Sequence, residues 1–485
     1  MPRILSYFAA AGGLALAALA PYPSGAATPK LTTLFSFNGS NGAYPDAPLI
    51  ADAQGNLLGT TSGGGNQGCA DGCGTVFEIV KKNGGYASSP TTLVSFDLDN
   101  GSSPQASLIA DASGNLFGTT RFGGSTECGG SGCGTVFEIV KTPNGYAGTP
   151  TVLVRFNFTN GAFPVAGLTI DGSGNLFGTT FGGGTEACVG GCGTVFEIAK
   201  TSQGYASTPT VLVRFDGTNN ANPSAGVILD AQGNLFGTTY LGGNTNCDNG
   251  CGTVFEIDKT RSGYSGTPTT LVSFDGSNGA LPTGSLIFNQ KGDLLGTTFN
   301  GGPYGLGTMF QIAKTRSGYA SRPSTLASFN GVNGALPFAA LIADARGNLF
   351  GTSLGGSDYP GTVVELAKTR GGYATSLTIL ASFSLNLGYP PEPTGLVADA
   401  QGNLFGPTFF GGASNQGSVY QLTGSGFVPA LVFAGTPGST DCYGRSVLSL
   451  MRADKNLDAA AAALGLGQTE ALQTAISEYC GTQAQ

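Results

Sequence analysis

Ten cysteines, no histidine and one carboxylate that returns at a fixed interval bound the chemistry open to this 485-residue chain. Without histidine, a Ser-His-Asp triad, a Cys-His pair and histidine-based metal centres are excluded. No phosphate-binding loop or dinucleotide fingerprint is present, because Gly-rich stretches such as Gly63 to Gly65 follow a strand pattern but open no helix. What remains is carboxylate chemistry and sulfur. The carboxylates are Glu78, Glu138, Glu197, Glu256 and Glu365, with Gln311 and Gln421 at the equivalent places. An acid–base pair needs two carboxylates in unlike environments, whereas this group recurs in the same setting, which points to a structural role.

Eight cysteines fall in close pairs: Cys69 with Cys73, Cys128 with Cys133, Cys188 with Cys192, and Cys247 with Cys251. Zinc would need two such pairs to converge, so local disulfides are the expected pairing in an exported chain. Each closes a short loop worth roughly 2 kcal/mol in the chain-entropy account. Cys442 and Cys480 bracket the last segment and are expected to form a fifth bridge. No metal, cofactor or catalytic residue is expected.

The elements that carry these groups are copies of one unit. GNLFGTT or a near variant begins beside Asn56, Asn115, Asn175, Asn234, Asp293, Asn348 and Asn403, and a GTVFE-like run follows each. A period of roughly 53 to 60 residues is the mark of a propeller or solenoid. Each copy holds four short Val, Leu, Ile, Phe and Thr runs bounded by Gly, Pro, Asn and Asp, with no sustained helical period. In the second copy these are SLIADA (A), NLFGTT (B), GTVFEIVK (C) and TVLVRF (D). A Asp-x-x-Gly-Asn turn, Asp111 to Asn115, joins A to B as a tight hairpin, and Asp52, Asp171, Asp230, Asn289, Asp344 and Asp399 repeat it. Its side chains are expected to cap their own backbone. Gly118 interrupts B, where crowding between blades is the expected reason.

The expected fold is therefore an all-β, seven-bladed propeller of four-stranded blades over residues 31–434, with a small α-helical segment at 435–485. Eight D-like strands serve seven A–B–C units, and Leu31 to Phe37 fits the ring-closing role better than Ala430 to Ala434. Residues 1–27 read as an export signal: Arg3, an apolar run from Ile4 to Ala20, then small residues at Gly25, Ala26 and Ala27. No later run is expected to span a bilayer. Net charge −8 without a basic cluster argues against nucleic acid.

GNLFGTT paired with GTVFE, and GYA between copies, resembles the Gloeo/Verruco (GloVer) tandem-repeat family of exported bacterial proteins over about residues 31–434. The resemblance implies a propeller placed outside the bacterial cytoplasm, secreted, periplasmic or on the cell surface, and brings no catalytic residues. Family members often carry a C-terminal anchor, whereas here the segment bracketed by Cys442 and Cys480 stands in that place.

Function is expected on the rim formed by D–A and B–C loops, which varies most between copies. Its loops include NGSNGAYPD (Asn38 to Asp46), DLDNGSSP (Asp97 to Pro104) and NFTNGAFP (Asn157 to Pro164). Tyr44, Asp46, Asp97, Asp99 and Phe158 depart most from the repeat and are the candidate ligand residues. The expected role is a monomeric, non-catalytic binding or scaffolding module for a glycan or an extracellular protein. The alternative is a carboxylate-dependent carbohydrate-active enzyme, in which two carboxylates flank a glycosidic bond.

Overall fold

Each Asp-x-x-Gly-Asn element closes its hairpin because the oxygens of its side chains take up backbone N–H groups and the two side chains bond each other. Asp111 Oδ1 accepts from the N–H groups of Ser113 and Asn115, both at 2.9 Å, and Gly114 takes the left-handed conformation at φ +83°. Asn115 then donates from Nδ2 to Asp111 Oδ2 and accepts the Lys141 N–H on Oδ1 at 2.9 Å. The fifth copy inverts the set. Asn289 donates to Asp293 Oδ2, and Gln311 Nε2 donates to the same oxygen at 2.7 Å. Acceptor, donor and acceptor have become donor, acceptor and donor, so no two carboxylates face one another.

The computed structural model describes residues 28–65, 68–218, 220–355, 361–383 and 394–429, with positions 457 and 473. The expected leader, the strand at Ala430 to Ala434, the Cys442–Cys480 bridge and most of the helical segment lie outside the described residues. The described chain forms seven four-stranded antiparallel sheets, each ordered A-B-C-D. The seventh is completed by Lys30–Ser36, which pairs with Ser418–Thr423, so the N-terminal strand closes the ring.

Three local expectations are corrected. Strand A contributes only two ladder residues, such as Ile109–Ala110. Strand C ends at Ile139, and a separate hairpin of Lys141–Thr142 with Gly145–Tyr146 carries the chain on to D. The third concerns Gly118. Strand B runs in straight register against C, so it holds no bulge. A Cβ at Gly118 would lie 2.6 Å from Phe137 Cζ on strand C of the same blade, so the crowding is within the blade. The irregularity sits instead in strand D, where Leu153 is the extra residue between Val152 and Val154. The same slip places an extra leucine in each blade, for example Leu93, Leu212 and Leu271.

The core lies between blades. Phe117, Val136 and Val154 of the second blade meet Leu168, Leu176 and Phe196 of the third, and all are essentially inaccessible. Phe156 of one blade packs edge-on to Phe196 of the next at 5.2 Å, a pairing worth about 0.5–1.5 kcal/mol beyond its buried area. The threonines of GNLFGTT have distinct duties. Thr60 donates across the blade boundary to the Ala106 carbonyl at 3.0 Å, while Thr61 and Thr75 hydroxyls meet at 2.8 Å within the blade. The hairpin tyrosine adds a strut, since Tyr205 packs on Phe117 of the preceding blade at 5.3 Å.

Candidate functional site

Two connections build the loop rim, and the backbone stitches them together. The D–A loop carbonyl of Leu98 accepts the Gly124 N–H of the B–C loop at 2.7 Å, and Phe158 does the same for Gly184. Inside the D–A loops, paired side chains hold the turn: Asp97 Oδ1 accepts the Asn100 N–H at 3.0 Å, and Asn100 Oδ1 accepts the Asp97 N–H. Asn157 with Asn160 and Asn38 with Asn41 repeat the device. These Asx groups are occupied by loop structure.

Four disulfides sit in the B–C loops with the pairing expected: Cys69–Cys73, Cys128–Cys133, Cys188–Cys192 and Cys247–Cys251. The second cysteine of each is fully buried and joins the core between blades. Leu306 stands at the corresponding place in the fifth blade and packs there without sulfur.

Just before strand A the chain makes its tightest passage. Tyr44, Ser103, Phe163, Asn222, Leu281 and Leu336 adopt φ between 54° and 58° although none is glycine. A left-handed non-glycine residue costs about 1–3 kcal/mol and persists only where its surroundings hold it. Here each peptide is held at both ends. The Phe163 N–H donates to the Cys133 carbonyl of the preceding blade at 2.8 Å, and the Phe163 carbonyl accepts the Phe181 N–H of its own blade at 3.1 Å. The constraint fixes the two positions that follow: the residue after the proline, and the residue directly after strand B.

Those positions meet at the mouth of the central channel. Asp46, Gln105, Ser224, Thr283 and Phe338 help to line an axial cavity of 280 Å³. Ser224, Thr283 and Phe338 also belong to an adjoining cleft of 320 Å³ completed by Phe181, Tyr240 and Phe299. One side of the mouth is thus aromatic. The other side is polar: Arg121 Nη1 donates to Gln105 Oε1 at 3.3 Å. Burial lowers the Arg121 pKa, and the charge of Asp46 opposes that shift. A larger cavity of 730 Å³ lies farther out between the B–C loops of the third and fourth blades, lined in part by Cys188, Asp216, Cys247 and Asp248.

The sequence-derived candidates divide between these places. Tyr44 stacks half-buried against Phe409 and Phe410, with ring centroids at 5.5 and 6.0 Å. Asp46 is at the channel mouth. Asp97 and Asp99 are exposed in the next D–A loop, where Arg155 donates to the Asp99 carbonyl. Phe158 is half-buried against the core between the second and third blades at φ 66°. Sequence reasoning missed Arg121, Phe181, Tyr240 and Phe299. Their signal was present, since the residue after GTT changes from Ser62 to Arg121 to Phe181 while GTT itself does not.

The repeated glutamates lie at the other end of strands B and C. Glu78 accepts from Asn56 Nδ2 at 3.1 Å beside the A–B turn. Burial raises the pKa of Glu78, Glu138, Glu197, Glu256 and Glu365; for Glu78, Glu138 and Glu197 the lysine of the following blade is the main opposing influence.

Likeness to solved structures is broad but shallow. A structure bearing the name gluconolactonase aligns at 12% identity and TM-score 0.37, over 83% of this chain and 93% of that one. A luciferin-regenerating enzyme aligns at 14% identity and TM-score 0.39, over 67% and 92%. A Dyadobacter fermentans protein of unknown function aligns at 11% identity and TM-score 0.41, over 82% and 99%. At these scores none bears on what the chain binds or does. No curated protein matches the chain in sequence. The Gloeobacter/Verrucomicrobia repeat profile matches residues 22–147 and 125–364, most of the blades described above. With seven blades built on the repeated GNLFGTT and GTVFE units, the chain belongs to the Gloeobacter/Verrucomicrobia repeat family.

Proposed function

We propose that the protein is an exported, non-catalytic binding module that holds a glycan at the mouth of its central channel. The observation that carries this reading is the mouth itself, where the aromatic cleft of Phe181, Tyr240, Phe299 and Phe338 adjoins the axial cavity lined by Asp46 and Gln105. Aromatic faces suit the C–H faces of sugar rings, and a few placed polar groups fix orientation. Rigid blades bear the loops, so little ordering is required on binding. Four disulfides support a place outside the reducing cytoplasm. Among the described residues no helix is long and apolar enough to cross a membrane.

Titration of the full chain against a panel of soluble polysaccharides tests the reading. Binding that is lost in the double variant Phe181→Ala, Tyr240→Ala, with an unchanged melt, is the expected result. Turnover of any polysaccharide that vanishes with Asp46→Asn would replace the binding module with an enzyme.

A further inference from the structure

Three rings of the cleft occupy one structural position. Phe181, Tyr240 and Phe299 each follow strand B directly, in three consecutive blades, and so are related by one blade step each. A ligand with a single apolar group would use one of them; a polymer with a repeating unit can use all three. The hydroxyls between the rings are already oriented. Ser224 Oγ donates to the Pro282 carbonyl at 3.4 Å and Thr283 Oγ1 to the Phe338 carbonyl at 2.8 Å. Their protons point into the protein, which leaves oxygen lone pairs as acceptors for ligand hydroxyls.

In the neighbouring blade the same position is Arg121. Its guanidinium lies 4.9 Å from the Phe122 ring and bonds a neutral amide, Gln105. Its Nε is buried without a hydrogen-bond partner. The Nη donors form a planar fork held by an aromatic face, and with Asp46 acting on its charge from the same mouth that fork is suited to one further carboxylate. The chain carries net charge −8, so it offers no long-range pull on an anion and recognition must be local to this fork.

On the reading that the mouth binds glycan, we propose that the ligand is a carboxylated glycan chain, its uronate group taken by Arg121 and its following sugar rings stacked on Phe181, Tyr240 and Phe299. Calorimetry of the full chain with an oligogalacturonate and with its methyl-esterified counterpart tests this. The acid should bind about tenfold or more tightly than the ester, the range of a hydrogen bond to a charged group. Arg121→Gln should abolish that difference, its loss falling on the acid, and Arg121→Lys should restore only part of it. Phe181→Ala with Tyr240→Ala should weaken acid and ester alike. Equal affinity for acid and ester in the unmodified protein overturns the carboxylate assignment and leaves the glycan reading standing. Failure of both to bind, with binding of a neutral glycan from another class, also overturns it; failure of every glycan overturns both.

Discussion

The two rims of this ring are built from the same strands yet behave as opposites. On the turn rim each turn pairs its first and last side chains, and in the fifth blade Asn289, Asp293 and Gln311 have changed together. On the loop rim the backbone bonds repeat from blade to blade while the side chains at the channel mouth do not. A repeat can therefore hold geometry constant and free one position per blade for recognition. The lesson is to look for function at a variable residue locked between invariant ones.

The largest test removes the element on which both rims depend. Deleting residues 30–36 strips Phe35 from the core and leaves Ser418–Thr423 as an open edge. Loss of a core phenylalanine alone costs about 3–5 kcal/mol, so the melting temperature should fall steeply and binding should go with it. Next, Asn115→Ala leaves the Lys141 N–H without its acceptor and should cost about 1–3 kcal/mol in chemical denaturation. The equivalent change at Asn175 or Asn234 should cost the same, and unequal costs would break the claim that the turn rim is uniform.

Gln311→Glu should place a carboxylate against Asp293 Oδ2, which now lies 2.7 Å from an amide donor. A melt lowered by this change and recovered by adding Asn289→Asp together with Asp293→Asn would confirm the reversal of donors and acceptors. A pH effect follows from the five glutamates. Burial raises their folded-state pKa above the ordinary 4.5, so the folded state binds protons more readily than the unfolded. Their ionisation costs stability as pH rises above that value, and the melt should be higher at mildly acidic than at neutral pH. Changing all five to Gln should flatten the dependence.

The smallest effect belongs to the loop rim. Leu98 is 40% exposed and holds φ +72° where other D–A loops place Gly39, Gly217, Gly276 or Gly331. Leu98→Gly relieves that conformation and should raise stability by less than about 1 kcal/mol, in contrast to the losses on the turn rim.

The blade was legible in the sequence because apolar runs, Asp-x-x-Gly-Asn turns and paired cysteines each signal locally. The extra leucine of strand D was hidden, since TVLVRF reads as plain alternation until its partner strand fixes the register. Gly118 signalled crowding but not its source, because a missing side chain does not say which ring fills its place. The candidate site was half visible. Tyr44 and Asp46 announce themselves by breaking the repeat, but Arg121 and Phe181 come from different blades, and only the packing of one blade on the next brings them to one mouth.

That closure also orders events in time. The strand Lys30–Ser36 precedes its partner Ser418–Thr423 by about 390 residues, so it leaves the ribosome first and finds its place last. Until then six blades can assemble by neighbour contacts alone while the first blade keeps a bare face and the last keeps a bare edge. Folding should thus show a fast growth phase and one slow, length-limited closing step, and a chain cut short anywhere before Thr423 should remain prone to pairing with another copy through that edge.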